Sequence, residues 1–348
     1  MRHGLGVALV LAGLAGALSA TCSADRETPG ESAASATLIP VDVSLGDVSI
    51  NKVPFLIAAD AGIYRKNGLE VHQFITPGAA EDARGSGVVV PPEYVRADVE
   101  AAPIAVGGGS PMIYRAVTGA GTDRVVLATQ EGIVRSHLVG LASIGSIEQL
   151  KGKRLGYSGT ATVTHFGVLT WLRKMGWDAE HDVTLVERAG TLSAVAGGRV
   201  DAAMSSAMLI ALAPEKGLRD IVDLATYEIP LAGSGIMAER KWLAANRDTA
   251  AKFVKSAVDA VALMKRDRNV FNGSLAKWFN IKDPVTQERM YRFVAEFPDK
   301  PYPSVEGIKA MMALYDSPAM RAHRAEDFYD SSFVKDLDRN GYLDAAHR

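Results

Sequence analysis

The feature that most narrows the fold is a repeated switch of hydrophobic period along the chain, from β-branched, half-alternating runs to apolar residues at helical spacing and back. Residues 41–50 have strand character, 54–66 place apolar residues at helical spacing, and 69–75 return to strand. Further along, 104–106, 125–128, 153–157, 183–187 and 201–204 read as strands and 163–175 as a helix. Such alternation predicts α/β architecture, with parallel strand pairs covered by helices on both faces. After about Gly233 the strands are expected to stop. Phe253, Val254, Ala257, Val258, Val261 and Ala262 form one apolar helical stripe, opened by Asn246 or Asp248. Residues 76–102, broken by Gly78, Gly85, Gly87 and Pro91-Pro92, read as a mostly irregular connection.

A chain of 348 residues has room for about two domains. Its 48% hydrophobic and 22% charged residues are ordinary globular usage, which excludes fibrous and wholly disordered classes. Lys and Arg total 38 against 40 for Asp and Glu, a net charge of −2, so no overall field favours a nucleic-acid partner. The single cysteine, Cys22, excludes an intramolecular disulfide, a zinc-thiolate site and an iron-sulfur cluster. Residues 1–21 read as a signal peptide, with Arg2 and His3 ahead of an apolar run from Leu5 to Ala20; residues 22–38 read as a polar tether. Two outcomes stay open at that junction. Ser19-Ala20-Thr21-Cys22 is similar to a bacterial lipobox, which makes Cys22 a lipidation site, although Thr21 and Leu18 depart from the pattern. Cleavage after Ala17, Ala20 or Ala24 gives ordinary secretion instead. Either places the folded part in the periplasm or cell envelope, touching membrane only through a lipid on Cys22.

Three loops at strand ends carry the candidate site. Gly107-Gly108-Gly109-Ser110-Pro111 joins a strand to a helix, with Ser110 expected as N-cap. Free N–H groups there would favour a ligand oxygen, while a tight turn needing positive φ satisfies the same glycines. The run lacks the Gly-Lys-Ser/Thr ending of a phosphate-binding loop. Tyr157-Ser158-Gly159-Thr160-Ala161-Thr162 offers three hydroxyls, Ser158, Thr160 and Thr162, at a helix start where a cap needs one. Ser205 and Ser206 follow a third strand and fit a ligand contact or a simple strand-end turn equally. Phe55 could stack on a flat ligand or anchor the core. His137, His165 and His181 lack metal-ligand spacing, and no Gly-x-Ser-x-Gly or His-Glu-x-x-His motif occurs, so no metal, cofactor or catalytic residue is expected. Residues 336–344 match the first nine positions of a calcium loop, but His347 stands where the twelfth-position Glu belongs.

The order of segments over roughly residues 41–344 resembles the periplasmic substrate-binding proteins of ABC importers for nitrate, taurine, alkanesulfonates and the thiamine pyrimidine precursor. The resemblance rests on Ile57-Ala58-Ala59-Asp60-Ala61-Gly62-Ile63-Tyr64 with Asn67-Gly68-Leu69-Glu70-Val71, and on Leu150-Lys151-Gly152-Lys153-Arg154-Leu155-Gly156. It continues through Asp182-Val183-Thr184-Leu185-Val186, Gly198-Arg199-Val200-Asp201-Ala202-Ala203, Pro301-Tyr302-Pro303 and Ser332-Phe333-Val334-Lys335-Asp336-Leu337. It implies a two-lobed periplasmic-binding-protein fold of type II, with parallel-rich mixed sheets flanked by helices and two crossover strands. Lobe 1 would comprise residues 39–132 and 233–348, and lobe 2 residues 133–232. The implied protein is a monomeric, non-enzymatic receptor that traps a small molecule and delivers it to an ABC permease and its ATPase. A cysteine-independent lyase or a membrane-partnered ligand sensor on the same fold is the alternative. The resemblance places Phe55, Gly108, Gly109, Ser110, Ser158, Thr160, Thr162, Ser205 and Ser206 at the ligand.

Overall fold

The computed structural model describes residues 37–121 and 123–348. The signal segment, Cys22 and nearly all of the tether lie outside the described residues.

Ten strands build two five-stranded mixed sheets. The first contains β1 (Ile39–Leu45), β2 (Leu69–Ile75), β3 (Ile104–Gly108), β4 (Arg124–Thr129) and, from far along the chain, β10 (Ser234–Glu239). The second contains β5 (His137–Leu141), β6 (Arg154–Tyr157), β7 (Thr184–Glu187), β8 (Ala202–Ser205) and β9 (Leu218–Asp223). Their orders are β2-β1-β3-β10-β4 and β7-β6-β8-β5-β9. In each sheet the first three strands run parallel and the last two pairings are antiparallel. β4 is buried along its whole length although it stands at the sheet's edge, which is why residues 125–128 read as an unbroken apolar run rather than an alternation.

Four sequence expectations need correction. Strands do not stop at Gly233: β10 inserts antiparallel between β3 and β4. It passes so close to β4 that a Cβ on Gly235 would lie 2.2 Å from the Ala128 carbonyl oxygen. Residues 76–102 are not mostly irregular, because Pro77–Ser86 is a helix. Thr76 Oγ1 accepts from Ala79 N at 3.4 Å, and Gly87 closes the helix at φ 100°. The first strand ends at Leu45, and Ile50–Lys52 forms a 3₁₀ turn ahead of the Val53–Asp60 helix. The helix after β3 starts at Gly109 with Gly108 as N-cap, so Ser110 lies inside the first turn and does not cap it. The calcium-like run is itself partly helical, within Ser332–Arg339, and Lys300 Nζ pairs with Asp338 at 2.7 Å and Asp344 at 3.2 Å.

The chain crosses between the sheets twice, and the two crossings hydrogen-bond to each other. Val134 N donates to Ile229 O at 2.8 Å and Leu231 N to Gly132 O at 2.9 Å. The C-terminal helices then cover the first sheet. Helix Arg247–Arg266 turns its apolar stripe onto Val53–Asp60, and Phe253 stacks between Phe55 at 5.8 Å and Tyr64 at 5.5 Å. Both hydrophobic clusters draw side chains from both sheets' elements, Phe55 with Leu192 and Met208 in one, Met112 with Phe166 and Trp171 in the other. No helix among the described residues is long and apolar enough to cross a membrane.

Candidate functional site

In α/β sheets, ligands gather where the carboxyl ends of parallel strands leave a crevice. Here those ends of the two sheets come together. A Cβ on Gly108, at the end of β3, would lie 2.8 Å from Val163 Cγ2, at the start of the helix after β6. Asn51, Gln130, Glu131 and Arg135 share with Ala207 a cavity of about 10 Å³, room for about one water. Ala207 follows directly on Ser205 and Ser206.

Buried polar atoms are normally partnered. Among the described residues ten buried side-chain polar atoms are not, and six of these lie just past strand ends: Asp47 Oδ1, Ser110 Oγ, Thr129 Oγ1, Gln130 Oε1, Ser205 Oγ and Ser206 Oγ. Asp47 follows β1, Ser110 follows β3, Thr129 and Gln130 end β4, and the two serines end β8. Beside Asp47 is Lys52, fully buried, an exceptional state for a lysine. Its Nζ donates to Asp47 Oδ2 at 2.6 Å, Ser234 Oγ at 3.1 Å and Ser49 Oγ at 3.4 Å. Glu131 accepts from Asn51 Nδ2 at 2.8 Å. Desolvation pushes its carboxyl up to about 7 against the opposing pull of that hydrogen bond, Arg135 and Lys52. Arg135 donates to Glu296 Oε2 at 2.8 Å.

The residues singled out in the sequence divide accordingly. Ser110, just past the end of β3, and Ser205 and Ser206, at the end of β8, carry buried hydroxyls without a partner. The Ser158–Thr162 loop is largely occupied with holding itself together. Thr162 Oγ1 accepts from His165 N at 3.3 Å as the helix cap and donates to Gly159 O at 2.6 Å. Thr160 N and Oγ1 both donate to Glu187 Oε1, at 2.8 and 2.9 Å, and Ser158 N donates to Thr164 Oγ1 at 3.0 Å. Two of the three hydroxyls, those of Thr160 and Thr162, are thus engaged by protein groups. None of Gly107, Gly108 and Gly109 has positive φ. Gly109 is needed for close approach instead: its N donates to Gly233 O at 2.6 Å, and a Cβ there would lie 2.2 Å from Ala232 O. Phe55 is fully buried in the core against Phe253.

Sequence reading missed Asp47, Asn51, Lys52, Thr129, Gln130 and Glu131. The available signal was positional, since polar residues directly after an apolar strand sit where a cleft would be. His165 stacks on Tyr157 at 4.6 Å, its Nδ1 accepts from Ala161 N at 3.1 Å and faces Tyr315 Oη at 3.1 Å, and burial lowers its pKa. That favours the neutral imidazole. Among the described residues no group of three His, Cys, Asp or Glu could hold a metal ion.

A two-lobed periplasmic-binding-protein fold is the class that these sheets define, and the solved structures agree. The alkanesulfonate-binding protein of Xanthomonas axonopodis pv. citri, bound to MOPS, is similar with TM-score 0.59 at 18% identity, over 80% of this chain and 91% of that one. The periplasmic nitrate-binding protein of Synechocystis PCC 6803 gives 0.67 at 10% identity, over 89% and 91%. The periplasmic aliphatic sulphonate-binding protein of Escherichia coli gives 0.58 at 16% identity, over 86% and 87%. At such identities the likeness is one of fold. The family model described as NMT1/THI5 like matches residues 49–267, more than half of the sequence, and the chain belongs to that family. No curated protein matches the sequence.

Proposed function

We propose that the protein is the extracytoplasmic solute-binding component of an ABC-type importer, trapping one small molecule between its lobes and presenting it to a permease and its ATPase. Lobe 1 is read as residues 39–132 with 233–348, and lobe 2 as 133–232. The observation that carries the reading is that six buried polar atoms without partners lie at strand ends of both sheets, two of them at the crossings that would serve as a hinge. Capture needs groups on both lobes, because a ligand closes a hinge only through differential affinity for the closed form. Ser110, Thr129 and Gln130 belong to one side of the crevice and Ser205 and Ser206 to the other. The contacts of the Ser158–Thr162 loop support a framing role for Thr160 and Thr162. The alkanesulfonate and nitrate named for the similar structures are among the solutes to try. Export through the leader, with or without lipid on Cys22, fits the role.

Native mass spectrometry of the protein purified without denaturation from its source cells tests this. The expected result is one small solute per chain, lost or much weakened in the Ser110→Ala/Ser205→Ala double variant. A solute bound equally by that variant would move the site elsewhere. Protein that never carries a solute would remove the binding reading.

A further inference from the structure

The polar inventory of the cleft bears on which solute it takes, given the binding reading above. An oxyanion needs donors that have nothing else to bind. In this cleft each charged donor already has a carboxylate partner. Lys52 donates to Asp47, Ser49 and Ser234, Arg135 to Glu296, Asn51 to Glu131, and the first-turn N–H of Gly109 to the Gly233 carbonyl. The charges cancel in pairs, Lys52 with Asp47 and Arg135 with Glu296, leaving Glu131 as the one carboxyl of the group without an ion pair.

Acceptors, in contrast, stand ready. Asp47 uses Oδ2 for Lys52 and holds Oδ1 buried without a partner. Gln130, only 3% exposed, lines the cavity with an unpartnered Oε1. Glu131 meets Asn51 through Oε2 alone. The hydroxyls of Ser110, Thr129, Ser205 and Ser206 donate or accept as needed and do not discriminate.

We infer that the cleft takes a neutral or cationic solute whose polar groups donate hydrogen bonds, an amine, amidine, guanidine or amide, and rejects inorganic and organic oxyanions. Placing an oxyanion there would set a negative charge beside Asp47 and Glu131, or require the fully buried Lys52 to give up its carboxylate partner; both cost more than the new contacts return. A donor ligand meets the opposite situation, completing acceptors that otherwise remain unsatisfied.

The test is isothermal calorimetry on the full mature chain with two sets of millimolar probes. Nitrate, ethanesulfonate and MOPS represent oxyanions; methylguanidine, ethanolamine, benzamidine and acetamide represent donors. At least one donor probe should bind saturably and no oxyanion should. Glu131→Gln should weaken that donor by about tenfold or more, with its far-ultraviolet circular dichroism unchanged. Saturable binding of any oxyanion, or of no donor probe, overturns the inference. Failure of the binding reading looks different: it is the absence of any solute in natively purified protein. An anion identified there would overturn only the present inference.

Discussion

At residue scale the second crossing has little conformational freedom. Gly233 lies at φ +83°, and a Cβ on it would sit 2.3 Å from Thr129 Cγ2 and 2.9 Å from Glu131 O. A left-handed L-residue costs about 1–2 kcal/mol and overpacking about 1–3 kcal/mol. Gly233→Ala should therefore destabilise by roughly 2–5 kcal/mol. Gly152 has a similar φ of +72° with nothing within 4 Å, so Gly152→Ala should lose only the backbone share. Equal losses in urea unfolding would show that close approach is not what fixes Gly233. Glu131 gives a second prediction. Its folded pKa of about 7 exceeds the ordinary 4.5, so the folded state binds more protons between those values. Its contribution to stability is thus fully present below pH 4.5 and is lost as pH rises through 7. The full shift corresponds to about 3 kcal/mol, reduced by whatever solvent reaches the carboxyl. Glu131→Gln should flatten this slope and exceed wild type in stability at alkaline pH; parallel urea-unfolding profiles from acid to alkaline pH would sink the idea. Nothing local in the sequence announces Glu131. Its environment is made by Asn51, 80 positions earlier, and by Lys52 and Asp47 from the same stretch.

At the scale of elements, local pattern served well where an element's partners are near in sequence. β2, β6 and the helix after β6 fall within a residue or so of where hydrophobic period places them. Pro77–Ser86 shows a different failure. Thr76 as cap, Pro77 in the first turn and Gly87 as stop are the proper punctuation of a helix, but Gly78 and Gly85 read as breakers. Their structural roles differ. Gly78 is exposed with nothing near its Cβ position, so Gly78→Ala should stabilise by about 0.5–1 kcal/mol. Gly85 faces Thr191, whose Cγ2 would lie 2.9 Å from a Cβ, so Gly85→Ala should gain nothing and should disturb the contact with the Leu192–Ala196 helix. Thermal unfolding of the two variants separates these; equal gains would mean that Thr191 yields freely. β10 was illegible for another reason. Its partners lie more than a hundred positions away, and Gly235 is explained only by the neighbouring β4. In the candidate site, the serines at strand ends were legible because a strand followed by hydroxyls is a local pattern. The Asp47–Lys52–Ser234 group was not, since Lys52 looks like any surface lysine until Ser234 is brought 182 positions across the fold to meet it.

At the scale of the whole molecule, the crevice is closed, and a cavity of about 10 Å³ admits little more than a water. On the proposed capture function, a solute enters when the second sheet's elements swing away from the C-terminal helices that hold them. Few polar contacts do the holding. Arg289 donates to Ala211 O at 3.2 Å, Arg135 to Glu296 at 2.8 Å, and Thr286 Oγ1 to Glu215 Oε1 at 3.3 Å. On the opposite rim Ser193 Oγ donates to Gly85 O and Leu192 N to Ser86 Oγ at 3.4 Å. Each part-exposed contact is worth about 1 kcal/mol or less. None of them belongs to the core of either sheet, so they set the balance of open and closed forms more than the stability of either lobe. Removing two of them with Arg135→Ala and Arg289→Ala should move the closed-to-open ratio toward open by roughly five- to thirtyfold. Small-angle scattering without ligand should then report a larger radius of gyration, and a bound solute should restore the compact value, because ligand contacts to both sides outweigh the two lost hydrogen bonds. Urea unfolding of the double variant should shift by no more than the two contacts are worth. An unchanged radius in the ligand-free variant would mean that closure rests on the apolar contacts around Met208 and Leu212 instead, and would place the hinge's control in the hydrophobic face of the second lobe.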